Sequence, residues 1–315
     1  MSNKEIVKSM KGFVVYDATE KLDLTKIVQD EHFDFRKYKI AGEDELSTIG
    51  FLPTVELEIN EDGEIVREEE YVSTVSGLQV VKIGSSKRKV PANEVKKMVN
   101  AQIKAFIKAE KERGEENVKI DKDLKDMFKE EAIKELLPKC FVDEYQTYAF
   151  YDTNSNRFFV FENSTKKAEK VNSLIRVSLG SFPVVPLSVG DVDVGKKFAE
   201  FITVPLHDVL TLEDFAEIEN EEGVVTFKKE SLYDAEVAGE VLKQSSEAFV
   251  SKIGLNYDGT LSFVVNNELV FSGLKFESYL TASGHDFKST FLLAASEVVR
   301  AVKELIKELT PEDDE

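Results

Sequence analysis

Lys97, Lys104, Lys108 and Lys111 recur at intervals of seven, four and three, a spacing that places four ammonium groups along one stripe of an α-helix. Val95, Met98, Val99, Gln102, Ile103, Phe106 and Ile107 follow the opposite stripe at a 3.6-residue period. A helix of this kind rests its apolar side on a core and holds its lysines outward. There they can neutralise phosphates without reading bases, which would give sequence-independent and salt-dependent binding. A solvated helix face produces the same pattern, so other basic groups bear on the choice. Two stand out: Lys166-Lys167 with Lys170 and Arg176, and Lys228-Lys229 after Phe227.

Chemistry of other kinds finds little support. His32, His207 and His285 are far apart, and none has a Cys or His at ligand spacing, which argues against a zinc centre. Cys140 lies beside Pro138 and Phe141 at a helix end, where a small buried thiol is the ordinary role. Neither Gly-x-Ser-x-Gly nor Gly-x-x-x-x-Gly-Lys occurs. A nuclease needs carboxylates clustered around Mg²⁺. With 60 acidic residues, groupings such as Asp152, Glu162 and Glu169-Lys170 arise by chance, and Asp191-Val-Asp193 reads as a solvated turn.

Charge is segregated. The net charge of −19 would repel nucleic acid. Between Lys82 and Arg113, however, ten basic residues face three acids, a local +7 that leaves −26 for the remainder. Acid concentrates in Glu56 to Glu70, in Asp208 to Glu222 and in Pro311-Glu-Asp-Asp-Glu315. One basic face on an acidic body is the expectation. A single cysteine excludes an internal disulfide, the first ten residues lack the apolar core of a signal peptide, and the longest apolar run, Phe291 to Ala295, is far below the ~20 residues of a membrane span. A cytoplasmic protein is expected.

Short strands and longer helices must position these groups. Strands are predicted at Phe13 to Tyr16, Gln146 to Tyr151, Arg157 to Phe161, Thr226 to Lys229, Ile253 to Tyr257, Leu261 to Val265 and Leu269 to Phe276. Asp152 to Asn156 and Asp258-Gly259 are turn signals. Val55-Glu-Leu-Glu-Ile59 alternates before Asn60-Glu-Asp-Gly63, which predicts a hairpin with one face buried. Helices are predicted after Pro91, from about Leu124 to Pro138, around Ala168 to Ile175, from Asp234 to Ser251, and along Phe291, Ala295, Val298, Val302, Leu305 and Leu309, whose stripe should seal a core. Ser178-Leu-Gly-Ser-Phe-Pro-Val-Val-Pro-Leu-Ser188 packs two prolines and a glycine around Val184 and Val185, which makes a rigid segment.

Leu136-Leu-Pro-Lys-Cys-Phe141, Gln146-Thr147, Lys166-Lys-Ala-Glu169, Leu174-Ile-Arg176 and the segment Ser178 to Ser188 resemble, in order and spacing, the recombination-associated protein RdgC family. Gly50-Phe-Leu-Pro53, Lys228-Lys229 and Leu274-Lys-Phe276 add to it. The likeness spans nearly the whole chain and is specific between about 133 and 188. It implies a ring-shaped homodimer with a basic hole that binds duplex DNA with little sequence preference and restrains RecA-driven recombination. It also implies that Phe141, otherwise a core candidate, closes a dimer contact. The helix from Asp234 to Ser251 departs from the family in being acidic or neutral apart from Lys243, with Glu247 or Ala248 at a position where a basic residue is expected.

The resulting expectation is an α+β fold: a multi-unit, horseshoe-like protomer with mixed sheets and a helical projection, closing into a ring. Residues 1–80 and 142–195 form a central sheet unit, 81–141 the projection, and 196–315 a second mixed unit with the C-terminal helix. Lys96, Lys97, Lys104, Lys108, Lys111, Lys228, Lys229 and Lys252 are expected to face phosphate, and Phe141 a partner subunit. The partners are DNA and a second copy, with antagonism towards a RecA-type recombinase, a nucleoid location, no cofactor, no metal and no membrane. The rivals are a metal-dependent exonuclease and an acidic protein-interaction module.

Overall fold

The fold is described from a computed structural model, over residues 3–60, 62–114, 118–204, 206, 209–229, 232, 236–245, 247–278 and 286–310. His207, His285, Glu61, Asp208, Asp234 and the acidic run 311–315 lie outside these residues. The chain order is α1 (Asn3–Ser9), β1 (Gly12–Ala18), a 3₁₀ turn (Leu24–Gln29), α2 (Phe33–Arg36), β2 (Ser47–Leu52), β3 (Glu58–Ile59), β4 (Ile65–Arg67), β5 (Val72–Val75), β6 (Leu78–Arg88), α3 (Ala92–Glu112) and α4 (Lys122–Leu136). A second 3₁₀ turn (Leu137–Lys139) leads to β7 (Val142–Asp152), β8 (Arg157–Val160), α5 (Thr165–Leu179), β9 (Val184–Pro186), α6 (Val194–Thr203), β10 (Leu210–Asn220), β11 (Gly223–Lys228), α7 (Glu236–Gln244), β12 (Phe249–Tyr257), β13 (Leu261–Asn266), β14 (Val270–Phe276) and α8 (Phe287–Leu309).

Two compact units result, one from residues 1–35, 52–82 and 147–315, the other from 36–51 and 83–146. The larger is α+β. Its antiparallel strands run β11-β10-β12-β13-β14-β1-β8-β7-β6, with β5 on β6 and β9 on β1. β1 is central because Phe13, Val14, Val15 and Tyr16 are apolar on both faces and all buried. Its register sets Phe13 opposite Phe271 and Val14 opposite Val160. Rings fill the space beside it: Phe13 stacks on Phe271 at 4.2 Å and Phe150 on Phe159 at 4.6 Å, while Phe291 of α8 meets Phe150 edge-on. The apolar stripe of α8 is buried throughout, so it seals the core as its spacing predicts. The proline-rich segment becomes β9, with Val184 opposite Ala18 and Pro186 opposite Tyr16. Gly180 ends α5 at φ +76°, a conformation open to glycine and strained for other residues.

Two sequence expectations need correction. The hairpin β3–β4 forms, but neither face is buried: Leu57, Ile59, Ile65 and Val66 are 50–60% exposed, because among the described residues the two strands pair only with each other and no second layer covers them. The helix expected from Asp234 to Ser251 covers only α7. Phe249 to Ser251 open β12 instead, where Phe249 and Val250 pair with Glu219 and Ile218 of β10 and this outweighs a further helical turn.

In the smaller unit the outer half of β6 pairs with β2, and α3 packs on α4 as a helical hairpin. Gly50 of β2 has no room for a side chain: a Cβ there would lie 2.6 Å from the Tyr38 amide nitrogen and 2.7 Å from the Arg36 carbonyl oxygen.

Candidate nucleic-acid interface

The lysine helix is built as its sequence dictates. Pro91 precedes its first turn, fixing φ without losing a needed donor. Val95 is buried, Phe106 meets Phe128 of α4 edge-on at 6.0 Å, and the Gln102 amide donates to Glu131 at 3.2 Å. On the 100° wheel, Lys96, Lys97, Lys104, Lys108 and Lys111 fall within about a third of a turn. All five are exposed. Lys97 pairs with Glu94 at 2.7 Å and Lys108 with Glu112 at 3.9 Å. Among the described residues, Lys96, Lys104 and Lys111 have no acidic partner. Such exposed pairs contribute about 0.3–0.5 kcal/mol each and yield readily to a phosphate. Beside the lysines, Val95, Val99, Ile103 and Ile133 line an open cleft of about 520 Å³ between α3 and α4, with Lys96 and Lys129 at its rim.

Two of the ten basic residues between Lys82 and Arg113 do different work. Lys82 is 7% exposed on β6; burial pulls its pKa below the usual lysine range, opposed by Glu56. Arg88 is also buried and donates to four carbonyls: Gly42 at 2.9 Å, Ala41 at 3.2 Å, Cys140 at 2.8 Å and Leu137 at 3.4 Å. It thereby satisfies carbonyls freed where α4 and its 3₁₀ turn end. The period-two alternation of β6 from Leu78 through Val80, Lys82, Gly84, Ser86 and Arg88 is the sequence signal for this inward placement.

Arg88 braces the position of Phe141. The Lys89 amide donates to the Phe141 carbonyl at 3.1 Å, directly after the Cys140 carbonyl that Arg88 holds. The ring itself is 88% exposed, so Phe141 is no part of this chain's own core. Phe141 lies just before β7, in phase with Asp143 and Tyr145 on one side of that strand; Asp143 pairs with Lys89 and accepts from the Tyr145 hydroxyl at 3.2 Å. That pairing holds the Asp143 carboxyl below its ordinary range and lifts Lys89 above its own. Cys140 is half-buried, its thiol donating to the Leu136 carbonyl at 3.2 Å.

The remaining predicted lysines lie in the larger unit. Lys228 stands opposite Phe215, with its ammonium 5.9 Å from the ring centroid, and Lys252 stands opposite Glu217, bonded to it at 2.7 Å. Both flank β10 on one face of the sheet. Lys229 is exposed just past β11, at φ +61°. On α5, Lys166, Lys170 and Arg176 are exposed, and Lys167 pairs with Glu162 at 3.5 Å. Asp193 caps α6 by accepting from the Lys196 amide, the local turn role its sequence suggested. Among the described residues no three His, Cys, Asp or Glu side chains converge as a metal site. None of the described helices is long and apolar enough to cross a membrane.

Residues 10–312 match the family model described as "Putative exonuclease, RdgC". The chain belongs to the RdgC family. Among its curated relatives, the recombination-associated protein RdgC of Psychromonas ingrahamii is 26% identical over 309 residues, covering 93% of this chain and 95% of the relative. That of Haemophilus influenzae is 30% identical over 247 residues, 74% of this chain and 78% of the relative. The RdgC of Yersinia enterocolitica is 29% identical over 249 residues, 75% and 79%. The match thus takes in both units, the lysine helix and the segment from Leu136 to Ser188.

Proposed function

We propose that this RdgC-family chain binds double-stranded DNA without sequence preference, as a homodimer that encircles or coats it, and limits the access of a RecA-type recombinase. The observation that carries the reading is the lysine face of α3, five exposed ammonium groups along one stripe of a chain whose net charge is −19. A protein so acidic is repelled from DNA at most orientations. Over the Debye length of about 8 Å at physiological salt, an approaching phosphate backbone senses mainly the lysines nearest it. Lys228, Lys229 and Lys252 are the further phosphate-facing candidates, and Phe141 is the anchor of self-association. The recombination-associated names of its relatives support a nucleoid setting for such binding.

Binding to a random-sequence duplex tests the reading: the affinity should fall steeply between about 50 and 200 mM salt. A flat response, or no binding at low salt, supports the acidic-interaction alternative instead. The family model's description keeps the exonuclease reading open to one direct assay, in which labelled duplex is incubated with protein and Mg²⁺ or Mn²⁺. Length-dependent degradation there overturns the binding-only reading.

A further inference from the structure

We propose that the β3–β4 hairpin of one copy docks into the α3–α4 cleft of a second copy, which makes the hairpin an acidic competitor of DNA for Lys96. The docking stands apart from the DNA-binding reading; the competition rests on it.

The hairpin is held as a presented arm. At its base the Glu70 amide donates to the Val55 carbonyl at 3.0 Å, the Thr54 and Ser73 hydroxyls share a hydrogen bond at 2.8 Å, and Lys288 pairs with Glu70 at 2.9 Å. At its tip Asn60 Oδ1 accepts from the Asp62 and Glu64 amides at 3.1 and 2.8 Å, and Gly63 takes φ +81°. Ile59 faces Ile65 across the two strands, and Leu57 lies two residues earlier, in phase with Ile59. These aliphatic side chains stand in water on a two-stranded element that is marginal by itself, a combination that marks a contact surface. Residues 56–70 hold eight acids against one base, Arg67, a net −7 that excludes DNA as the occupant. Glu58 engages that arginine at 3.9 Å, while Glu68 and Glu69 are exposed and, among the described residues, have no basic partner.

The cleft is the converse in shape and charge. Val95, Val99 and Ile103 recur at one helical turn, about 6 Å, and Leu57 and Ile59 at two strand residues, about 6.6 Å, so the two rows mesh. Its volume of about 520 Å³ takes about three aliphatic side chains, at about 150 Å³ for a benzene-sized group. Lys96, Lys125 and Lys129 on its rim are exposed and, among the described residues, have no acidic partner; Asp126 is the single acid beside them. Two chains of net charge −19 repel at a distance, but screening over about 8 Å at physiological salt leaves the opposed patches to decide the contact. The arm belongs to the larger unit and the cleft to the smaller, so the contact is heterologous and can link homodimers into larger assemblies. Lys96 belongs both to the rim and to the phosphate stripe of α3. An occupied cleft and bound DNA therefore exclude one another at that lysine.

The test mixes two full-length proteins, both carrying Cys140→Ser, one with Ile59→Cys and the other with Val99→Cys. Each chain then has a single cysteine, so an Ile59→Cys to Val99→Cys disulfide forms only between copies. Under mild oxidation the mixed dimer should form about tenfold faster than either protein cross-links alone. Glu68→Lys/Glu69→Lys on the first chain should slow it about tenfold, and Lys125→Glu/Lys129→Glu on the second should restore the rate, a rescue that a folding defect would not show. Random-sequence duplex at saturation, with its binding read by anisotropy in the same samples, should slow it as well. No preference for the mixed dimer, no rescue, or a chain with both cysteines that cross-links only within itself overturns the docking. Undiminished cross-linking while duplex is bound overturns the competition. Rescue without any duplex binding overturns the DNA-binding reading and leaves the docking standing.

Discussion

Removing the three α3 lysines that have no acidic partner among the described residues, Lys96, Lys104 and Lys111, gives the most direct quantitative test of DNA binding. In a homodimer they contribute six positive charges. Each phosphate neutralised releases counterions worth about −0.9 in the slope of log affinity against log salt, so six give about −5. Between 50 and 200 mM salt that slope costs about a thousandfold in affinity. The variant Lys96→Ala/Lys104→Ala/Lys111→Ala should therefore flatten the measured slope by about 5, or by about 3 if the bound species is a monomer. Fluorescence anisotropy with a random 30-base-pair duplex reads this directly. Alanine favours helix and all three sites are exposed, so circular dichroism and Tm should be unchanged. A folded variant that keeps the original slope refutes the assignment of this face to phosphate.

Phe141→Ala should weaken self-association by about 2 kcal/mol, near thirtyfold in sedimentation equilibrium, while shifting unfolding by less than about 0.5 kcal/mol, since the ring is 88% exposed. Gly50→Ala forces a methyl against the Tyr38 and Arg36 backbone and should destabilise by about 3 kcal/mol in urea unfolding; a neutral result would show that β2 shifts freely. Lys82→Met should stabilise by about 1 kcal/mol at pH 7, because the folded state holds a lysine whose pKa burial has lowered. A lowered lysine pKa penalises folding at pH below the folded value, and the penalty vanishes as pH rises towards 10.5. The gain should thus shrink as pH rises through the folded value towards 10.5, and a gain that grows with pH would contradict the stated cause. Glu70, which burial alone would raise, is instead held below 4.5 by hydrogen bonds from Lys288 and Ser73, so its small contribution should disappear as pH falls below that value and be absent in Glu70→Gln.

What could be read from sequence was local and periodic. The α3 stripe, the Asp258-Gly259 turn and the buried stripe of α8 follow from a period of 3.6 or from residues that tolerate positive φ, and each formed where predicted. Alternation along Val55 to Ile59 signalled a strand correctly but carried no information on whether another layer would cover it. The extent of α7 was misjudged because Phe249 and Val250 take their conformation from β10, whose pairing lies outside any local window. Arg88 was counted as surface charge for the same reason. Its carbonyl partners Gly42 and Cys140 lie 46 and 52 residues away. For the candidate interface, the lysines themselves were legible, and the groups that hold Phe141 in place were not.

The packing of α1 against α8 has a consequence for synthesis. Ile6 and Met10 share the larger unit's buried cluster with Leu305 and Leu309, so that core lacks a wall until the last described helix has been made. The smaller unit needs only residues 36–51 and 83–146, all of which emerge much earlier. At about 5–20 residues per second, some 150 further residues take tens of seconds. During that interval the lysine helix has its own hairpin partner, while the strands beside β1 still await β14. The basic surface therefore matures before the larger unit's core, and nascent chains should hold a protease-resistant fragment spanning α3 and α4 before full-length protection appears.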